Sequence, residues 1–354
     1  MKIKVQKQIL ESILISVQPF LEKKDDTQIT SHILIESYEG RSVIRATDHE
    51  IGLQIETERF ETVEGGSFTA NGKKLLDIIR ILRDEEIRLE TEDSHLKVIQ
   101  KRSKFKLPIF DPEAYPSFPV KDEKPKISLD SYSLIKNFKK VSPTIDTNNP
   151  KHELNGALIN IKREYTDIVG TDTKRLAIVK MENVSEKELA LILPKKAIME
   201  IQKLFLDKIE IYYDENTLII TSENLFFFTR LINGKYPDYE RIIPKSLKHE
   251  IELPKKEMID AIRMITTISH EIRISIEPDR IVFDSLSTDV EAKTEIERVT
   301  NIDESYQLTI NSRHMLDFLS QSESESFILG INEATTPFMV KDGNFITIIM
   351  PIVI

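Results

Sequence analysis

The sequence predicts an α+β fold made of three tandem similar domains, each with two helices packed on antiparallel sheets. Three observations predict it: apolar helix stripes recur at constant spacing, a second helix phrase recurs between them, and alternating runs with turn residues follow every helix.

The apolar stripes are Leu10, Leu14 and Val17, then Leu134, Phe138 and Val141, then Met258, Ile262 and Ile265. Each trio stands at i, i+4, i+7, one buried face of a helix. Leu10 to Leu134 and Leu134 to Met258 span the same 124 residues. A short β-like run precedes each helix: "IKV" from Ile3, "ISL" from Ile127 and "IEL" from Ile251.

The second phrase reads "FTANGKKLLDIIRIL" from Phe68, "LILPKKAIMEIQKLF" from Leu191 and "LTINSRHMLDFLSQS" from Leu308. Here Lys73, Asp77 and Arg80 correspond to Lys196, Glu200 and Lys203, then to Arg313, Asp317 and Ser320, a polar face at helical spacing. The chain thus holds six strand-to-helix starts, two per copy.

The segments after the helices, such as "HILIESYEGRSVIRATDHEIGLQIETE" and "ALINIKREYTDIVGTDTKRLAIVKME", alternate between Gly, Asp and Asn turns and read as antiparallel meanders of about three strands. A repeat of about 120 residues is too long for a solenoid unit, so each copy is a domain with its own core. Pro- and charge-rich stretches, "PEAYPSFPVKDEKP" from Pro112 and "PDYERIIPKSLK" from Pro237, precede new copies. They place the domains at 1–122, 123–247 and 248–354.

The 354 residues, 40% hydrophobic and 31% charged, suffice for several cores. No apolar run reaches the ~18 residues of a membrane span, and "MKIKVQKQIL" lacks a secretory h-region, so a cytoplasmic protein without a membrane partner is expected. The absence of cysteine excludes disulfides, thiolate metal sites and a Cys nucleophile. Seven scattered His show no metal-ligand spacing, so neither metal nor cofactor is expected.

A formal charge of −10 argues against nucleic acid unless the basic groups are segregated. The predicted polar helix faces carry Lys7, Lys73, Lys74, Arg80, Arg83, Lys136, Lys139, Lys140, Lys195, Lys196, Lys203, Lys255, Lys256, Arg263 and Arg313, while acidic residues gather in strands and turns. Two readings of these faces stand: a sequence-blind contact with a phosphate backbone, or solvated faces laced with i, i+4 ion pairs.

The stretches "LNGALINI", "GTDTKRLAIVKM", "LPKKAIMEIQKL", "RLINGKYPDYERIIPK" and "IIMPIVI", in this order, make the chain resemble the bacterial DNA polymerase III beta subunit family, the replication sliding clamps, over essentially its full length. The resemblance implies a ring-shaped head-to-tail homodimer of DNA-clamp domains, with helices lining a hole for double-stranded DNA and sheet outside. It implies a non-catalytic processivity factor that tethers the polymerase, with the polymerase III alpha subunit, the clamp loader and clamp-motif repair proteins as partners.

Carried over by position, the resemblance implies a partner-peptide pocket of Leu154, Thr171, Arg175, Leu176, Pro237, Arg241, Ile242, Ile348, Met350, Pro351 and Ile352. As residue types these suit an apolar slot with a few orienting donors; read without the resemblance they are more readily ordinary core and C-terminal strand positions. It also implies DNA-facing Lys24, Lys73, Arg80, Asn148, Lys174, Lys195, Lys196 and Lys203. For the dimer interface it implies Phe105 and Leu107 on an edge strand against Thr267 and Ile268; the alternative is that Phe105 and Leu107 face their own core. The chain departs from the family at Thr173 and Lys174, where Gly-His is usual, and at Val353 and Ile354, where a basic residue and Leu are usual.

There is no GxxxxGK loop and no GxGxxG. Two other functions are a monomeric peptide-binding scaffold without DNA, and a hydrolase using Asp48, Asp172 and His32 or His49. Asp48 and Asp172 sit 124 residues apart, which favours a repeated turn over unique chemistry.

Overall fold

The computed structural model describes residues 1–206, 208–287 and 290–353; Ile354 lies outside them. Among the described residues are six α-helices: α1 (Lys7–Val17), α2 (Gly72–Ile81), α3 (Ser131–Val141), α4 (Lys195–Leu204), α5 (Lys255–Thr266) and α6 (Ser312–Gln321). The three apolar trios are buried on α1, α3 and α5, as their spacing predicts. Asn71 and Asn311, equivalent in the repeat, cap α2 and α6 by accepting from the Lys74 and Arg313 amides, each satisfying one otherwise unpaired N–H.

The chain forms two compact units. One holds Met1–Ser131 with Lys203–Leu231, the other Tyr132–Gln202 with Ile232–Ile354, so the central repeat contributes to both.

In the first unit a five-stranded sheet runs in the order Glu61–Glu64, Lys2–Gln6, Glu86–Glu92, His95–Gln100, Ser103–Pro108. An eight-stranded sheet runs Lys126–Ile127, Glu210–Tyr213, Thr217–Thr221, Leu225–Arg230, Ile51–Thr57, Arg41–Thr47, His32–Tyr38, Gly66–Asn71. In the second unit an eight-stranded sheet runs Leu189–Pro194, Gly156–Ile161, Tyr165–Thr171, Arg175–Glu182, Phe345–Ile349, Phe338–Asp342, Ser326–Ile331, His249–Pro254. A four-stranded sheet runs Lys293–Glu297, Arg280–Ser285, Glu271–Ile276, Tyr306–Asn311.

One rule generates all four sheets. The strand before each helix crosses to the meander of the other half of its repeat: Lys2–Gln6 pairs with Glu86–Glu92, and Gly66–Asn71 with His32–Tyr38. Each repeat therefore makes two four-stranded sheets, extended in the first by Glu61–Glu64. Each eight-stranded sheet joins two of these through their last meander strands, so backbone hydrogen bonds run from repeat to repeat. At the first junction Phe227 stands opposite Leu53, and at the second Thr347 stands opposite Ala177.

The first junction is filled by aromatic rings. Phe118 meets Phe228 edge-on at 5.0 Å between centroids, and Phe228 lies across Gly52, where a Cβ would fall 2.2 Å from its ring. Gly52→Ala must push that ring aside, and overpacking costs ~1–3 kcal/mol. A lowered urea midpoint at unchanged m-value checks it.

The proline-rich junction stretches are pinned and not loose. Tyr115 and Tyr239, again 124 residues apart, are buried, and the Tyr115 hydroxyl donates to the His32 carbonyl at 3.0 Å. His32 is itself 3% exposed, and burial, reinforced by the Lys74 charge, lowers its pKa from 6.5 to about 4. The neutral ring is the folded form, so the unfolded chain binds the extra proton. Stability is full above pH 6.5 and falls as the pH drops toward 4, by up to ~3 kcal/mol. Denaturant titrations of wild type and His32→Gln across that window check it; the variant is expected to lose most of the slope.

Candidate peptide pocket and cationic face

The pocket candidates are organised by a turn that the chain uses twice. The Asp172 Oδ1 accepts the Lys174 and Arg175 amides at 3.0 Å each, and the Thr171 hydroxyl donates to the Arg175 carbonyl at 2.6 Å. In the first repeat Asp48 Oδ1 accepts the Glu50 and Ile51 amides at 3.0 Å, and the Thr47 hydroxyl donates to the Ile51 carbonyl at 2.9 Å. Thr173 and His49 occupy the left-handed region at φ 72° and 73°. Asp48 and Asp172 are turn-formers, their carboxylates occupied by backbone amides, as the repeat spacing predicts. Among the described residues no group of three or more His, Asp or Glu could hold a metal ion.

In the second unit Leu154, Leu176 and Ile348 come together in one buried apolar cluster with Leu158, Val169, Ile178, Ile192, Tyr236, Tyr239 and Met339. The ladder sets Leu176 opposite Ile348 and Arg175 opposite Ile349. Beyond that strand the chain is held at Met350, whose amide donates to the Lys174 carbonyl at 2.9 Å, and at Ile352, whose amide donates to the Thr309 carbonyl at 2.7 Å. Met350 is 43% exposed while Pro351 is buried and Ile352 half-buried, so an apolar side chain is presented beside the Asp172 turn.

The segment carrying Pro237, Arg241 and Ile242 is anchored by its two tyrosines. The Tyr239 hydroxyl donates to Asp167 Oδ2 at 2.7 Å and accepts from the Asn160 amide nitrogen at 2.8 Å; the Tyr236 hydroxyl donates to the Val169 carbonyl at 3.5 Å. Burial raises the pKa of both Asp167 and Tyr239. With the rings held down, Pro237 and Arg241 face solvent and Ile242 is 46% exposed. Arg241 Nε bonds Asp238 at 2.7 Å in an exposed pair that a ligand could replace at small cost.

Arg175 differs from the other pocket candidates. It is 5% exposed, with Nε donating to Asp172 at 2.9 Å, Nη1 to Asp317 at 2.7 Å and Nη2 to the Pro143 carbonyl at 2.8 Å.

The DNA-facing candidates divide between the units. In the first, Lys24, Lys73, Arg80 and Lys203 are exposed, and Lys73 and Arg80 line a cleft of about 440 Å³ together with Glu22, Asp26 and Asp77. In the second, Asn148, Lys174 and Lys196 are exposed, whereas Lys195 is half-buried and donates to the Ile145 carbonyl at 2.5 Å. Burial lowers the Lys195 pKa, partly offset by Asp146.

The polar helix faces differ from their simple periodic reading at two residues. Lys140 is buried, its Nζ 2.6 Å from Glu323 and over the Phe345 ring, and Glu200 is 7% exposed. Helix spacing assigned both to solvent, but packing from another repeat covers Lys140: Glu323 and Phe345 belong to the third.

Of the interface candidates, Thr267 is exposed and Ile268 is 41% exposed at the end of α5. Leu107 is 7% exposed, packed into its own domain, and Phe105 on the same strand face is half-buried. Ile81, which sequence reasoning did not single out, is 74% exposed at the end of α2, next to the point where Gln100 bonds Arg83 beside the Ser103–Pro108 edge. Sequence reasoning also missed Asp317 as a pocket neighbour and Tyr236 and Tyr239 as anchors. The repeated Tyr115 and Tyr239 spacing was an available signal for Tyr239; nothing local marks Asp317.

Comparison with known proteins agrees with this architecture. Residues 1–119, 128–238 and 240–352 match the N-terminal, central and C-terminal domains of the DNA polymerase III beta subunit. The beta sliding clamp of Helicobacter pylori strain J99 is 37% identical over 352 residues, covering 97% of this chain and 94% of that protein. That of Chlamydia pneumoniae is 25% identical over 362 residues, covering 99% and 98%. The crystal structure of the Helicobacter pylori beta clamp bound to a DNA ligase peptide superposes with a TM-score of 0.93 at 37% identity, covering all of both chains. The DNA polymerase III subunit beta of Pseudomonas aeruginosa shares the fold at a TM-score of 0.90 and 21% identity, also over both full chains. The chain belongs to the DNA polymerase III beta subunit family.

Proposed function

We propose that two copies of this chain close head to tail around duplex DNA and slide along it as a non-catalytic cytoplasmic clamp, tethering the replicative polymerase and repair proteins through the pocket of Leu154, Thr171, Leu176, Pro237, Arg241, Ile242, Ile348, Met350, Pro351 and Ile352. Its three domains are 1–122, 123–247 and 248–354. The observation that carries this reading is the sheet rule. Each junction within the chain pairs the last meander strand of one half-repeat with the last meander strand of another. Two such strands keep an unpaired edge among the described residues: Ser103–Pro108 and Lys293–Glu297. Exposed edges need covering, and joining this pair within one copy would leave no further junction for a partner. Joining them between copies makes a heterologous contact that closes after two steps.

The register of that third junction follows from the other two. Phe105, Phe227 and Thr347 are equivalent, as the ladder partners of Val98, Ile220 and Val340. Ile55, Val179 and Thr294 are equivalent, as the partners of Ile44, Ile168 and Phe283. Two residues before them lie Leu53, Ala177 and Ala292, so Phe105 falls opposite the partner's Ala292. Lys106 then faces Glu291, Arg102 faces Glu295 and Leu107 faces Val290, against one like-charged pair, Lys104 with Lys293.

Encirclement accounts for the charge. DNA held by threading requires only exchangeable phosphate contacts from residues such as Lys24, Lys73, Arg80, Asn148, Lys174, Lys196 and Lys203, while the net −10 sits elsewhere. Sedimentation of the pure protein at micromolar concentration, then retention on nicked circular against linear DNA after loading, tests the reading. A dimer that stays on circles and runs off linear ends is expected; a monomer, or equal retention on both, overturns it.

A further inference from the structure

We propose that Arg175 and Asp317 are positioning residues for the peptide pocket: the ion pair of the buried Arg175 with the half-buried Asp317 sets the place of Met350, and neither side chain bonds the peptide itself. The inference rests on the pocket reading above. Every guanidinium nitrogen of Arg175 is engaged inward, by Asp172, Asp317 and the Pro143 carbonyl, and the side chain is 5% exposed. With the side chain so little exposed, a peptide could take one of these three committed donors only by displacing a partly buried carboxylate or the Pro143 carbonyl, which is costly.

The pair instead joins parts of two repeats. Asp317 is on α6 of the third repeat, while Pro143, Asp172 and Arg175 belong to the second. From Arg175 the path is short: Asp172 holds the turn, and the Lys174 carbonyl of that turn accepts the Met350 amide at 2.9 Å. Met350 is thus bonded to the turn, and Arg175 ties the turn to α6.

The first repeat shows what Arg175 adds. There Ile51 occupies the equivalent position, and the turn closes with the same hydrogen bonds around Asp48. The turn therefore does not need an arginine; the guanidinium is an addition that reaches α6. His314, one turn before Asp317 on α6, has its pKa lowered by burial and by Arg175. It is the neutral form that sits beside the pair; Arg313, 3.8 Å from Asp317, and Lys195, which feels the charges of Arg175 and Asp172, are further cations near it.

The two roles of Arg175 predict opposite signs for a change at Asp317. If Arg175 only positions, Asp317→Ala weakens binding; if it contacts the peptide, the same change frees its guanidinium and binding is unchanged or tighter. The probe is a fluorescent copy of the DNA ligase peptide seen on the Helicobacter pylori clamp, titrated into the full-length chain. Asp317→Ala is expected to weaken its Kd about tenfold and Asp317→Asn, which keeps an acceptor, about threefold. Amide exchange at Met350 should quicken in the same order while the sedimentation of the protein stays unchanged. Unaltered or tighter binding by Asp317→Ala overturns the proposal, as does unaltered Met350 exchange. If the wild type does not bind the probe, the pocket reading fails, and the Met350 exchange still decides the tie. Should Asp317→Ala not fold, Asp317→Asn decides by the same two readings.

Discussion

Aspartate placed at both Phe105 and Ile268 is expected to leave the protein monomeric at micromolar concentration and to abolish its retention on nicked circular DNA. The effect is large because each change removes apolar area from an edge and puts a charge where the partner would desolvate it. Central interface residues contribute ~2 kcal/mol or more each, about a thousandfold for the pair at one seam, and the ring has both changes at both seams, so the dimer Kd rises by well over that factor. Ile268, 41% exposed at the end of α5, can be changed with little harm to its own domain. Phe105 is half-buried, so the single variant Ile268→Asp, read by sedimentation velocity, separates seam loss from unfolding. Val184→Asp, at a position 92% exposed, is the control and should remain dimeric. A dimer that survives the double change would place the seam elsewhere.

Met350→Ala is expected to raise the Kd for a clamp-binding peptide by about thirtyfold to a hundredfold, the ~2–3 kcal/mol of a buried apolar anchor, with the dimer intact. Its side chain is 43% exposed, so its loss falls on binding more than on folding. Leu176→Ala should lose binding as well, but Leu176 is 3% exposed within the apolar cluster, and removing it costs ~2–5 kcal/mol of stability. Comparing the two by peptide titration and urea unfolding separates a binding residue from a supporting one. Peptide affinity unchanged in Met350→Ala would remove the pocket assignment.

What could be read in advance followed local periodicity. The trios Leu10, Leu14, Val17 and their counterparts lie on buried faces because a helix repeats its neighbours every three to four residues. The Asp48 and Asp172 turn was equally legible, since its hydrogen bonds stay within five residues. Arg175 was not: its sequence position gives it a place beside Leu176, but its partners Pro143 and Asp317 lie far away along the chain. Leu107 was open between core and interface for the same reason, because strand alternation puts Phe105 and Leu107 on one face without saying what covers it.

By itself, the amino-acid order determined three copies, six strand-to-helix starts and their buried stripes, since all of these depend on separations of a few residues or on exact repetition; the pocket residues came from the family resemblance alone. Only the tertiary structure decided that sheets run from one repeat into the next, that the central repeat is divided between two compact units, and that Lys140, Lys195 and Arg175 are engaged inward. Strand pairing between repeats and the burial of a charge are set by groups from 32 to more than 142 residues apart, and no local pattern carries those distances.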